Sequence, residues 1–258
     1  MTAAVYAFRS YEFWLAFYRR VWRGTLISSF VNPVFYLAAL GVGLGTLVNK
    51  SSAPPGGVSY AHFVAPGLLA AAAMQTGSNE SSWPVVGAFK WTRTNIAQAA
   101  TPLGPGSIFA GHQLYVLTRL VASSAVYALV IAAFGGMHSS LGLLAVPAAV
   151  LGGVAFSTPF AAYAAHIDSD SAFVAINRFV IVPMFLFSGT FFPVSRLPRP
   201  LELSAYATPL WHAVDLCRGL TLGSIGAGLA AVHVAYLLVL AAAGSVAAKI
   251  TFTRRLRK

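Results

Sequence analysis

The chain has 258 residues, 57% of them hydrophobic and only 9% charged, where a soluble domain carries about 25% charged residues. Water is therefore not its main solvent, and a soluble enzyme or binding module is excluded. The net charge of +11 does not point to nucleic acid, because the basic residues cluster between apolar runs and at the two ends instead of forming one basic stripe.

Residues 3–23 predict an amphipathic helix. Phe8, Tyr11, Leu15, Tyr18 and Trp22 recur at three- and four-residue steps, while Arg9, Glu12, Arg19 and Arg23 line another side. Such a helix suits the headgroup boundary, although its wide apolar side also suits packing on the protein. Charges and aromatics interleave here, unlike the uninterrupted apolar core of a cleaved leader, so the segment is expected to be retained. Residues 1–24 are thus assigned to an interface helix and 25–258 to one membrane domain.

A first crossing is expected from about Leu26 to Val48, with Gly41, Gly43 and Gly45 offering small-residue spacing for a close helix neighbour. A turn-rich loop from Lys50 to Gly57 follows, with Pro54, Pro55 and Gly56, and then a second crossing from near Tyr60 to Ser82. Residues 83–112, with Lys90, Arg93, Pro102 and Pro105, predict a loop carrying one or two short helices outside the bilayer. The third crossing spans about Leu114 to Phe134 and the fourth, beyond Gly135 and Gly136, about Leu143 to Ala165. A short polar loop at His166 to Asp170 precedes a fifth apolar run, Ala172 to Phe192. Residues 193–222, broken by Pro198, Pro200 and Pro209, are too polar to span and predict short re-entrant helices in one leaflet. The sixth crossing covers Ile225 to Ala248 and leads into the basic tail Arg254, Arg255, Arg257 and Lys258.

With both termini in the cytoplasm, thirteen of the seventeen lysines and arginines fall inside: Arg9, Arg19, Arg20, Arg23, Lys90, Arg93, Arg119, Arg178, Lys249 and the four of the tail. Lys50, Arg196, Arg199 and Arg218 fall outside. The positive-inside rule thus favours this orientation, and an even number of crossings keeps the termini on one side. The fold class expected is an all-α integral membrane protein with six transmembrane helices.

The chain lacks the Gly-Lys-Ser/Thr of a phosphate-binding loop, since no lysine follows a glycine. Any ATP-driven activity therefore needs its nucleotide site on another polypeptide, and residues 83–112 are the expected docking surface. Among membrane-embedded ionisable groups, Glu80, Arg119 and Arg178 stand out. A pair between Glu80 and either Arg119 or Arg178 would offset the cost of burial and fix helix packing. Asp215 and Arg218, three residues apart, are placed to pair on one helix face. The six histidines are scattered singly and are expected to be ordinary boundary residues. Cys217 is the single cysteine, and no Cys/His spacing suggests a metal site.

Several segments then become specific in order: Tyr60 to Leu68 with Pro66 and Gly67, Ala88 to Thr94, Thr101 to Pro105, Gly111-His112, Phe187 to Pro193, Leu197-Pro198, and Thr208-Pro-Leu-Trp-His212 with Asp215 and Arg218. This succession resembles the type-2 ABC exporter permeases, in the branch of nodulation-factor (lipo-oligosaccharide) exporters and daunorubicin-resistance permeases. The resemblance implies six crossings, an N-terminal interface helix, a cytoplasmic coupling helix between helices 2 and 3, and outer re-entrant helices between helices 5 and 6. It implies contact with a separate ATPase subunit through Phe89, Lys90, Trp91, Arg93, Thr94, Pro102 and Leu103, and an outer gate at Ser188, Gly189, Phe191, Phe192 and Pro193. It departs from the usual pattern at Leu103 to Gly106, glycine-rich where relatives often carry a charge. It also implies a second permease protomer, identical or similar, membrane lipids as surroundings, and ATP and Mg on the ATPase, with no cofactor on this chain.

The expected function is export of an amphiphilic drug, lipid or glycolipid across the cytoplasmic membrane. A proton-coupled carrier would instead need a titrating carboxylate near the midplane, for which Glu80 is the only candidate. A membrane scaffold or integral enzyme without transport activity is the third alternative.

Overall fold

The computed structural model describes residues 2–48, 57–167 and 171–257, and among these contains only helices and turns. Most of the expected Lys50 to Gly57 loop, Asp168 to Asp170 of the fourth-to-fifth loop, and Lys258 lie outside the described residues. An all-helical fold is what lipid demands, because a helix satisfies its own backbone donors and acceptors where no water can.

Helix α1 (Ala3–Ala38) passes directly into a π-helical stretch (Ala39–Leu44) and α2 (Gly45–Val48). One helix continues through residue 24, where the interface helix was expected to end, and past Leu26, where the first crossing was expected to begin. A single Gly24 costs only about 1 kcal/mol in a helix and does not end it. One face of α1 packs on the protein, with Trp14 buried against the rings of His112 and Tyr115. Phe8, Phe13, Phe17 and Trp22 remain exposed on the other. Of the expected glycine spacing, Gly43 has open space beside it, and the side-chain surroundings of Gly41 are outside the described residues.

The core forms around α3 (Tyr60–Ser81), most of which is buried. It packs on α6 (Pro105–Ala133), α7 (Ala145–Ala164) and α11 (Pro209–Leu222), while α12 (Ala227–Leu256) lies along α7 and α6, and α1 along α6. Between them come α4 (Trp83–Lys90), α5 (Thr94–Ala99), α8 (Ser171–Ile176), a π-helical turn (Asn177–Ile181), α9 (Val182–Phe187) and α10 (Arg199–Tyr206). Among the described residues, α6, residues 140–164 and α12 are long and apolar enough to cross a membrane, and Ala172–Phe187 is a shorter apolar helix. Three helix ends differ from expectation. Pro105, whose missing N–H is harmless in a first turn, starts α6 nine residues before Leu114. The fifth apolar helix ends at Phe187, short of Phe192. Helix α12 continues through Lys249 to Leu256, and Arg255 donates to the carbonyls of Ala165 and Ile167 just past α7, groups that the helix leaves without donors.

Helices α3 and α7 meet backbone to backbone at Gly77 and Gly153. A Cβ on Gly77 would overlap the Gly153 carbonyl, and one on Gly153 would lie 2.9 Å from the Ala73 carbonyl oxygen. Gly77→Val should therefore destabilise the fold by about 1–3 kcal/mol through overpacking. Gly228→Ala, with nothing within 4 Å, should be neutral. Thermal unfolding in detergent, followed by dye labelling of the buried Cys217 thiol, checks both: the labelling midpoint should fall for the first and stay for the second.

Candidate functional site

At one end of α3 the chain turns at Ser82 (φ −97°, ψ −90°) straight into α4, whose first turn carries Pro84. Helix α4 is amphipathic and seats Val85, Val86 and Phe89 in a small apolar cluster with Ile108, Phe109, Phe173 and Phe252. Phe89, expected to touch a partner, is only 3% exposed. Its ring meets Phe252 edge-on at 5.2 Å, and the Arg255 guanidinium lies 4.8 Å from its centroid. It is an internal anchor that ties α4 to α12, because an apolar ring gains more from burial than from water.

The other expected docking residues divide by exposure. Lys90, Trp91, Arg93 and Pro102 are exposed, Thr94 is half-buried, and Leu103 packs against the edge of the same cluster. Trp91 is 55% exposed and stacks near Trp83, with centroids 6.5 Å apart. The corner is held by the Gly87 carbonyl, which accepts from Trp91 N–H, Thr92 N–H and Thr92 Oγ1. Arg93 sits at φ +53°, the only positive-φ non-glycine among the described residues, a geometry costing about 1–3 kcal/mol that persists only when its surroundings impose it. On α5, Gln98 Oε1 accepts from Ser10 Oγ at 2.7 Å, joining this corner to α1.

Two residues before Ser82, Glu80 is the centre of a polar network. Its carboxylate accepts from Arg119 Nη2 at 2.9 Å, Arg119 Nε at 3.0 Å and Tyr115 Oη at 3.1 Å, and its backbone carbonyl lies 3.1 Å from His112 Nε2. Arg119 also lies over the Tyr18 ring of α1 at 4.8 Å. The structure thus pairs Glu80 with Arg119 and leaves Arg178 apart. Both side chains are largely buried, so each needs the other.

At the opposite end of α3, the turn after Phe187 brings the expected gate residues together. Ser188 Oγ is 2.9 Å from Thr208 Oγ1, Gly189 adopts φ +82°, and the Phe191 carbonyl accepts from Tyr60 Oη. Phe192 and Pro193 are half-buried beside them. Arg218 does not pair with Asp215. Its guanidinium donates to the carbonyls of Phe63, Gly189 and Thr190 and lies 3.8 Å from the centroid of the Phe63 ring. The turn carbonyls have no helical donors, and a planar five-donor group satisfies several at once. Asp215 instead accepts from His233 Nε2 at 3.1 Å, and His233 Nδ1 is 2.8 Å from His212 Nδ1, so one of those two nitrogens carries the shared proton. The expectation that these histidines are isolated is therefore corrected. His212 and Asp215 share a face of α11, a visible spacing, but their partner comes from α12 and no sequence signal joins it to them. His62 and His138 likewise meet across two segments, with rings 4.6 Å apart.

The family of ABC-2 type transporters matches residues 11–222. The chain is 32% identical to Nodulation protein J of Rhizobium leguminosarum bv. viciae over 81% of this chain and 82% of the relative. It is 33% identical to that of R. leguminosarum bv. trifolii over 81% of each, and 30% identical to that of Bradyrhizobium diazoefficiens over 94% of each.

The Glu80–Arg119 pair yields a double-mutant prediction. Glu80→Gln and Arg119→Gln should each lower stability by about 3–5 kcal/mol, since each leaves a largely buried charge without its partner. The double variant should lose less than the sum of the two. Thermal unfolding of the four proteins measures the coupling.

Proposed function

This chain belongs to the ABC-2 type transporter family, and from that premise we propose that it is the membrane subunit of an ABC exporter with six crossings, both termini in the cytoplasm of the inner membrane. It works as a pair of protomers, each docked on a separate ATPase subunit that binds ATP and Mg. The sequence itself contains no Gly-Lys-Ser/Thr loop, so hydrolysis is assigned to that partner. The cargo is an amphiphile, a lipid, glycolipid or drug. The resemblance to lipo-oligosaccharide exporters and the name Nodulation protein J borne by its relatives support that class.

The observation that carries the coupling role is the corner between α4 and α5. Lys90, Trp91 and Arg93 are exposed there at the end of α4, a helix that the single residue Ser82 separates from α3. An exposed tryptophan flanked by two cations suits a protein partner, where aromatic and arginine side chains dominate binding. Phe89 supports the corner from beneath and is not itself a contact in this reading. A proton-coupled carrier is less favoured because Glu80, its candidate carboxylate, is occupied by Arg119 and Tyr115.

The test is ATP-dependent export in vesicles containing the partner ATPase, with Lys90, Trp91 and Arg93 all replaced by serine and Phe89 kept. Export should fall at least tenfold while the unfolding midpoint stays that of the unaltered chain. Unchanged export would remove the coupling role from this corner.

A further inference from the structure

Beside α3, on a different side from the Glu80 network, lies an open cavity of about 270 Å³ bounded by Ser78, Asn79 and Ser82 on one side and by Asn177 and Arg178 on the other. Its walls are otherwise apolar, with Val174 beside Trp83, Phe173 and Phe160, whose rings follow one another at centroid spacings of 6.0 and 6.2 Å. Ser78 is 3% exposed and its Oγ has no hydrogen-bond partner. Arg178 has no ion-pair or hydrogen-bond partner among the described residues, since Glu80 is taken by Arg119. Ser82 donates its own proton to the Asn79 carbonyl, but the Ser78 hydroxyl, the two carboxamides and the guanidinium all remain able to donate. No carboxylate appears among the described residues of the lining.

Arg178, Asn177 and Asn79 are exposed along the open side of the cavity and the orphan Ser78 hydroxyl is buried behind them, so a ligand entering the opening can meet all four and supply the partner that a buried hydroxyl lacks. The donors outnumber the committed acceptors, the only charge among the described lining residues is positive, and the volume suits a headgroup. Asn177 and Arg178 sit on the π-helical turn between α8 and α9, a local widening found often at functional sites. We propose that this cavity is a binding site for an anionic headgroup, a phosphate or carboxylate on an amphiphile, gripped by Arg178 and oriented by Ser78, Asn79 and Asn177, with the aliphatic part leaving over the aromatic wall. The proposal rests on the reading that α3 and residues 171–187 lie in the membrane. It does not depend on coupling to an ATPase.

The same chemistry serves a resident anionic phospholipid or the anionic head of a transported molecule, and two measurements separate them. The first is equilibrium binding of dodecyl phosphate to the purified chain in dodecyl maltoside. Arg178→Gln should weaken binding at least tenfold, Arg178→Lys should fall between, and Asn177→Leu should weaken it independently of any folding defect in the first variant. Arg199→Gln, on the exposed α10 pair with Glu202, should change nothing. Equal binding by the unaltered chain and Arg178→Gln, or an equal loss in Arg199→Gln, overturns the site. The second is quantification of phosphatidylglycerol and phosphatidylcholine that copurify. Phosphatidylglycerol enriched on the unaltered chain and lost from Arg178→Gln identifies a resident lipid. Arg178-dependent dodecyl phosphate binding with no such enrichment identifies a site left open for a transported anion.

Discussion

Helix α3 carries Gln75, Thr76, Ser78, Asn79 and Glu80 in its second half, and in the proposed six-crossing arrangement so polar a segment needs other helices or water beside it. The fold meets this constraint with small residues. Gly77 and Gly153 bring α3 and α7 into backbone contact, and alanines line much of the rest of α3. Helices in lipid gain little from hydrophobic burial against one another, so close approach and a few polar contacts must hold them together. The remaining elements take their positions from this central helix.

Polar ties mark both ends of α3. At one, Tyr60 and the Phe63 carbonyl are joined to the turn at 189–191, directly or through Arg218. At the other, Glu80 is bound to Arg119 and Tyr115, and Ser82 alone separates α3 from α4. In the proposed transporter, a force on the exposed corner at Lys90 to Arg93 reaches α3 along the chain through Ser82 as well as through the packing of α4, and the turn after Phe187 is fastened to the far end of the same helix. The two regions singled out from the sequence as docking surface and gate are thus attached to one rigid element.

Much of this was legible beforehand because apolar runs and prolines report helices directly. The run from Leu114 to Phe134, the turn at Gly135-Gly136 and the short helices bounded by Pro198 and Pro209 all appear near their expected places. Helix ends were harder, since they depend on tertiary partners. Hydropathy continues to Phe192, but Arg218 captures the carbonyls of Gly189 and Thr190 and the chain turns at Ser188. Side-chain roles were harder still. Phe89 sits in a segment that looks like a docking motif, and only the position of Phe252 on α12 makes it interior. The Asp215–His233–His212 chain joins two helices, and no local spacing encodes a contact of that kind.

The unbroken α1 has a consequence for phase. Its 36 residues cover about 54 Å at 1.5 Å each, and Trp14 near its start is locked between His112 and Tyr115. Each residue of a helix advances the azimuth by about 100°. Adding or removing one residue around Gly24 would turn the aromatic half through that angle against the half that follows, so the spacing between the two is fixed as firmly as their composition.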